Sequence, residues 1–300
     1  MTGPALHWRV WVPEFVLLAL LWGVSFLFMR EGAHDFGPFP TAWVRVTLAA
    51  LMLTPVLIWR REVAVLQQHW RPAFLSGLLN SGIPFACYAY ALMHISTGMS
   101  SILNATTPLF GALIAWFWLG DRLNATRALG LALGFTGVVL LASEVPGGVS
   151  FQSGGSGLAV VACLVATLCY GIAGSFTKRY LHNVPSLVTT TGSLWGASLG
   201  LCLPALLTWP TETPTWHAWG ALGIAGLLCT ALAYVLYFRL MTRTGPARAM
   251  TVTYLIPVFA NLIGVVFLDE VVTHWMMVCG LVIVLGTALA SGLVGRQRAG

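Results

Sequence analysis

The residues of this chain able to do chemistry recur at helical spacing inside long apolar runs. Ser100, Asn104, Thr107, Pro108 and Gly111 follow i, i+4, i+7, i+8 and i+11, which is one stripe of a helix. Comparable stripes are Leu18, Trp22, Ser25 and Met29; Asn80, Pro84 and Tyr88; and Thr167, Tyr170, Gly174 and Thr177. Later come Thr230, Tyr234 and Tyr237, and then Thr251, Tyr254, Pro257 and Asn261. Hydroxyls, amides and phenols of this kind bind a ligand by hydrogen bonding and stacking. Turned toward lipid they would go unsatisfied, so they are expected to face a shared, wet centre. The candidate lining is Trp22, Ser25, Asn80, Tyr88, Asn104, Tyr170, Tyr234, Tyr254 and Asn261. Trp22 fits either lining or packing, whereas the buried tyrosines need hydrogen-bond partners at depth.

Pro108 and Pro257 lie about halfway along their apolar runs. A proline removes a helical hydrogen bond and frees the carbonyl four residues earlier, here those of Asn104 and Thr253. The two prolines are candidate hinges, or a simple bend. The freed carbonyls could take a ligand ammonium group.

Catalysis and metal binding find little support. Gly196-Ala197-Ser198-Leu199-Gly200 has G-x-S-x-G spacing, but a nucleophile elbow needs a strand-to-helix turn. Inside an apolar run, Gly192, Gly196 and Gly200 fit a packing face better. Gly154-Gly155-Ser156-Gly157 resembles an intramembrane serine protease motif, yet all seven histidines fall in tails, loops or span ends. No buried general base is therefore expected, and no catalytic residue is assigned. Cys87, Cys163, Cys169, Cys202, Cys229 and Cys279 show no CxxC spacing. They read as small apolar packing residues, with no metal site, disulfide framework or cofactor expected.

The elements that position these stripes follow from composition. Hydrophobic residues make up 58% and charged residues 8% of the chain, and mean hydropathy is +0.84. A soluble domain carries about 25% charge, so this chain belongs in a bilayer. The net charge of +6 is spread over short gaps and forms no patch, so no nucleic-acid partner is expected. With about 20 apolar residues per crossing, the spans are 11–29, 40–59, 72–93, 98–119, 127–143, 156–177, 185–208, 216–240, 247–268 and 274–294. The first lacks a small-residue cleavage site after its apolar run and is expected to be retained. Most tryptophans flank span ends (Trp8, Trp11, Trp43, Trp59, Trp70, Trp209, Trp216, Trp219 and Trp275) and suit an interfacial belt.

The chain is also a repeat of itself. At an offset of 149, Pro108 falls on Pro257, Phe110 on Phe259, Asp121 on Glu270 and Gly137 on Gly286. Pro55 matches Pro204, Tyr88 matches Tyr237, and Trp22-Gly23 matches Tyr170-Gly171 within one residue. The halves are 1–148 and 149–300, with five spans each. Lys and Arg collect on the cytoplasmic side. Arg9, Arg60, Arg61, Arg71, Arg122, Arg127, Lys178, Arg179, Arg239, Arg243, Arg248, Arg296 and Arg298 all fall on one side of a ten-span arrangement. The opposite loops hold only Arg30. Both termini are therefore expected in the cytoplasm. An odd number of spans per half inverts the second repeat, a recurring device of secondary transporters.

Charges inside the spans are scarce. Arg45 is expected to snorkel to the outer end of its span. Glu14, just inside the first span, could join proton coupling, but stabilising its own helix N-terminus fits better. An anion carrier would place several Lys or Arg in its cavity, so neutral or zwitterionic cargo is favoured. The fifth and tenth spans are nearly all Leu, Val, Gly and Ala and read as scaffold or subunit-contact helices; Gly130 and Gly134 would permit close packing.

Tyr88, Tyr90-Ala91-Leu92, Pro108-Leu109-Phe110 and Gly120-Asp121, with Tyr237, Pro257-Val258-Phe259 and Asp269-Glu270, carry a family resemblance over nearly the whole chain. It resembles the ten-helix EamA-type exporters of the drug/metabolite transporter superfamily, in particular bacterial inner-membrane exporters of aromatic and other neutral amino acids. The family usually shows Gly-Glu where this chain has Gly-Asp and Asp-Glu. The resemblance implies an all-α membrane protein of ten transmembrane helices in two inverted five-helix repeats. It also implies a cavity lined by helices 1, 3, 4, 6, 8 and 9. The expected function is alternating-access export of amino acids or similar small metabolites, by a monomer or weak homodimer in the lipid bilayer. Efflux of cationic or hydrophobic drugs is the alternative, and a channel is a third reading.

Overall fold

The computed structural model describes residues 8–143, 155–244 and 249–292, with the side chains of 8–10 not described. Arg248, Arg296, Arg298, Gly154 and the side chains of Trp8 and Arg9 therefore lie outside what is described, as does the boundary between residues 148 and 149. The described residues form ten helical passes and no strand. The first half holds α1 (Trp8–Phe36), α2 (Pro38–Trp59), a short surface helix Val63–Gln68, and α3. α3 runs as Trp70–Gly77, a π turn Leu78–Gly82 and Ile83–Leu92. α4 runs as Thr97–Asn104, Thr107–Ile114 and a π turn Ala115–Leu119, and α5 is Ala125–Ala142.

In the second half α6 is Ser156–Tyr180 and α7 is Ser186–Leu207. α8 runs as Trp216–Gly226, a π turn Leu227–Leu232 and Ala233–Thr244. α9 begins with a 3-10 turn Thr251–Tyr254 and continues as Ile256–Leu268; α10 is His274–Ala290. Eight passes are long and apolar enough to cross a bilayer. The exceptions are α10, with 17 residues, and α3, which carries Arg71, Ser76, Asn80 and Ser81. α1 runs past the expected residue 29 to Phe36, because nothing breaks it before Gly37. There φ of +77° ends the helix and Pro38 opens the next.

The repeat is visible in backbone detail. The π turns of α3 and α8 start at Leu78 and Leu227, residues 149 apart. Gly120 and its equivalent Asp269 both adopt left-handed conformations, at φ of +72° and +52°. Asn124 and its equivalent Thr273 cap α5 and α10 through their side chains. α4 and α9 both break at the expected prolines. Pro108 and Pro257 each sit at the second position of a new helical segment, where the missing N–H costs nothing.

Contacts between the halves obey the same symmetry. A Cβ on Gly23 of α1 would stand 2.6 Å from Phe259 Cβ of α9, and one on Gly171 of α6 would stand 2.8 Å from the Phe110 carbonyl carbon of α4. Gly23 and Gly171 are repeat equivalents within one residue, as Phe110 and Phe259 are at the full offset. Glycine at both positions lets the backbones touch. α5 and α10 also pack on each other across the halves, with Gly286 against the Gly134 backbone and Gly130 against the backbone of residues 286–290. These scaffold helices thus use Gly130 and Gly134 within the chain. Leu199, Leu203, Leu206 and Leu207 of α7, Val258, Leu262 and Val266 of α9, and Leu281 and Leu285 of α10 point outward as an apolar, lipid-facing coat.

Candidate functional site

Seven of the nine candidate residues come together between the halves. Tyr88 donates from its hydroxyl to Asn104 Oδ1 at 3.0 Å, tying α3 to α4. The Tyr88 ring stacks on Tyr170 of α6 at 6.4 Å and meets the edge of Phe26 of α1 at 5.7 Å. Asn80 lies in the α3 π turn and donates to the Tyr234 hydroxyl of α8 at 3.0 Å. A π turn carries an extra residue per turn and re-aims its side chains, which recurs at functional sites. Trp22 packs against Tyr237 at 5.4 Å, and Ser25 donates to the Trp22 carbonyl at 2.7 Å. Tyr88 and Ser25 are buried, while Trp22, Asn80, Asn104, Tyr170 and Tyr234 keep partial exposure. Such aromatic walls with a few amide and hydroxyl groups suit a small amphipathic ligand.

Two candidates lie elsewhere. Tyr254 pairs its hydroxyl with Ser291 Oγ at the end of α10, at 3.3 Å. Asn261 donates to the Pro257 carbonyl at 2.7 Å and packs on Gly98 in the first segment of α4. Both share the Thr251–Asn261 stripe only if α9 is one continuous helix. The 3-10 turn and the break at Leu255 shift the phase between them. The freed-carbonyl expectation also fails at Asn104, whose carbonyl accepts the Thr107 hydroxyl at 2.8 Å.

Arg45 corrects the sequence reading most. It does not snorkel outward. Its side chain turns inward between α1, α3 and α8, and the residue is only 4% exposed. Nε donates to Thr230 Oγ1 at 2.8 Å, Nη1 rests on Met29 Sδ, and the guanidinium carbon lies 4.1 Å from the Phe85 ring centre. Tyr170 and Tyr234 are within its electrostatic reach. The signal that could have found it was its face. Arg45 shares a helical face of α2 with the buried Ala42, Ala49 and Leu53.

Glu14 differs too. It sits several residues inside α1 and accepts from Arg239 Nε at 3.0 Å and Arg243 Nη1 at 2.8 Å. It therefore clamps α1 to α8 instead of serving its own helix terminus. Ser198 of the G-x-S-x-G stretch is buried and shares a hydrogen bond with Thr47 Oγ1 at 2.7 Å; Gly196 packs on the Phe74 backbone. Among the described residues no cluster of His, Cys, Asp or Glu could hold a metal ion.

The two ends of the centre are closed to different degrees. Glu270 accepts from Arg30, from the Thr97 N–H and hydroxyl at 2.8 Å each, and from the Gly98 N–H at 3.3 Å. It thereby caps the first segment of α4 as an acid at a helix N-terminus. The pair also lines a cavity of about 260 Å³ with His94, Ser96 and Val271. The repeat-equivalent pair, Asp121 and Lys178, stands 3.8 Å apart with both side chains exposed. The packing beside each pair matches. Phe26, Met29 and Ala260 are buried, while their equivalents Gly174, Thr177 and Gly111 are exposed or half-buried. A Cβ on Gly111 or Gly174 would meet nothing within 4 Å.

A multi-pass helical membrane protein of two inverted repeats, with polar side chains gathered between them, is the class that these elements define. The chain belongs to the EamA-like transporter family, whose model matches residues 10–143 and 157–292. It is 24% identical to the uncharacterized transporter YoaV of Bacillus subtilis (strain 168) over 94% of this chain and 97% of that protein. It is 25% identical to a probable terminal-alkyne amino-acid exporter of Streptantibioticus cattleyicolor, over 96% of this chain and 95% of that one. A protein of known crystal structure shares the fold at a TM-score of 0.68 and 22% identity, covering 96% of this chain and 98% of its own.

Proposed function

We propose that this chain is a secondary transporter of the bacterial inner membrane. It exports amino acids, aromatic and other neutral ones, or similar small metabolites by alternating access. The observation that carries this reading is the inequality of the two repeat-equivalent ion pairs. Glu270 is closed on Arg30 and the α4 N-terminus, while Asp121 and Lys178 stand apart in the open. Inverted repeats that exchange conformations require such a difference, since each end must take the other's state in turn. With the arginine-rich loops and both termini in the cytoplasm, the closed end faces outward and the open end receives cargo from the cell.

The cargo would lie among Trp22, Ser25, Asn80, Tyr88, Asn104, Tyr170 and Tyr234, with the breaks at Pro108 and Pro257 acting as hinges. Tyr254 and Asn261 would affect the movement of α9 and not the cargo contact. A buried guanidinium near these residues repels cations, which counts against export of cationic drugs. One amino-acid exporter among the relatives agrees with the cargo class. The working unit would be a monomer or weak homodimer in the bilayer.

Counterflow into proteoliposomes with a labelled amino-acid panel, with and without a pH gradient, tests the reading. Saturable counterflow of at least one neutral amino acid is expected. Single-channel current, or no saturable flux of any member, would overturn it.

A further inference from the structure

Arg45 is the only Lys, Arg, Asp or Glu that is buried among the described residues. A charge held inside a membrane protein is costly unless an opposite charge or several strong hydrogen bonds offset it. Arg45 has neither in full. Among the described residues no carboxylate lies within 4 Å of it; its contacts are the Thr230 hydroxyl, the Met29 sulfur and the Phe85 ring. Thr230 donates its own proton to the Ala225 carbonyl at 2.8 Å, so it offers Arg45 a lone pair and no charge.

The second half shows that the fold itself does not need this charge. At the offset of 149, the place of Arg45 is taken by Leu194, fully buried on α7. The place of Thr230 is taken by Ser81, whose buried hydroxyl finds no hydrogen-bond partner among the described residues. The same packing is thus built once with an apolar side chain and once with a guanidinium. Phe85, against which the guanidinium lies, belongs to a buried cluster on which Tyr170 and Tyr234 of the polar centre also pack.

We propose that Arg45 is the anion-recognising residue of the site, and that it takes the carboxylate of the cargo. This rests on the transporter reading above and narrows its cargo to carboxylate-bearing molecules. The planar guanidinium keeps N–H groups beyond the one given to Thr230 and matches a carboxylate in two-point geometry. The carboxylate supplies the counter-charge that no described residue gives within 4 Å. Asn104 and the phenols are left for the ammonium end, and Trp22 for an apolar side chain. Arg45 acts as one fixed charge and not as a cluster, which suits a zwitterion or monocarboxylate better than a phosphate ester.

The test uses the full chain in proteoliposomes. Whichever amino acid gives saturable counterflow is compared with its amide and its decarboxylated amine. The free acid is expected to compete at least about 30-fold better than either, because both leave the guanidinium unpaired. Arg45→Gln should lose that preference and Arg45→Lys should keep part of it. Equal competition by acid and amide in the unaltered protein would overturn the proposal even if Arg45→Gln fails to fold. It would leave the transporter reading standing. No saturable counterflow by any amino acid would remove both.

Discussion

Arg30 of α1 and Glu270 at the end of α9 form an ion pair whose carboxylate also holds the α4 N-terminus, binding three helices at one end of the molecule. The Glu270 side chain is only 9% exposed. At the other end the equivalent Asp121 is 42% exposed and holds Lys178 only at 3.8 Å. An exposed pair at that distance contributes little, whereas a largely desolvated one with backbone donors contributes more. The Glu270 end is therefore the more tightly tied of the two.

Breaking that tie should open the closed end. In a background lacking the native cysteines, a cysteine placed at the buried Ser100 should react slowly with a membrane-impermeant maleimide. Glu270→Gln should raise that labelling rate about tenfold, since truncating one partner of a desolvated charge pair shifts an equilibrium by at least that much. An unchanged rate would mean that the pair is ornamental.

The crossings at Gly23 and Gly171 should be intolerant of a methyl group. Gly23→Ala and Gly171→Ala each push a carbon within 3 Å of another backbone or Cβ atom and should destabilise the fold by about 1–3 kcal/mol. Gly111→Ala and Gly174→Ala, beside open space, should be close to neutral. Thermal unfolding of the purified variants in detergent distinguishes the two sets.

The tyrosine–asparagine bonds should matter for cargo, and the bond outside the cluster should not. Tyr88→Phe and Asn104→Leu are expected to raise the half-saturation concentration about tenfold, the effect of one lost hydrogen bond at a desolvated site. Tyr254→Phe should leave it unchanged, because its hydroxyl bonds to Ser291 at the end of α10. Concentration-dependent counterflow gives the values, and a tenfold effect from Tyr254→Phe would redraw the site.

Glu14→Gln should act on stability and leave energy coupling alone. Its carboxylate is committed to Arg239 and Arg243 and ties α1 to α8. The variant is expected to unfold at a lower temperature while keeping the same dependence of uptake on the pH gradient. Loss of that dependence would make Glu14 part of the proton path.

The sequence alone determined the bilayer, the ten passes and the repeat, because each depends on properties that add along the chain. Apolar run length sets a crossing, and residue identities at a constant offset reveal a duplication. Five of the six helices singled out by their stripes bring those polar side chains together, through residues such as Tyr88, Tyr170 and Tyr234. α9 is the exception, and it shows where linear reading stops. The i, i+4 rule holds only within a continuous helix, and the 3-10 turn at Thr251–Tyr254 rotates Tyr254 away from the face that its spacing implied. Arg45 is the other case. A long side chain near a span end can reach out to water or inward to a Thr, a Met and a Phe from three other helices. Its direction depends on which neighbours enclose it, and only the tertiary structure decides that. The unequal Glu270 and Asp121 pairs belong to the tertiary structure as well. Nearly equivalent sequences occupy both ends, and the conformation of the assembled helices sets which end is closed.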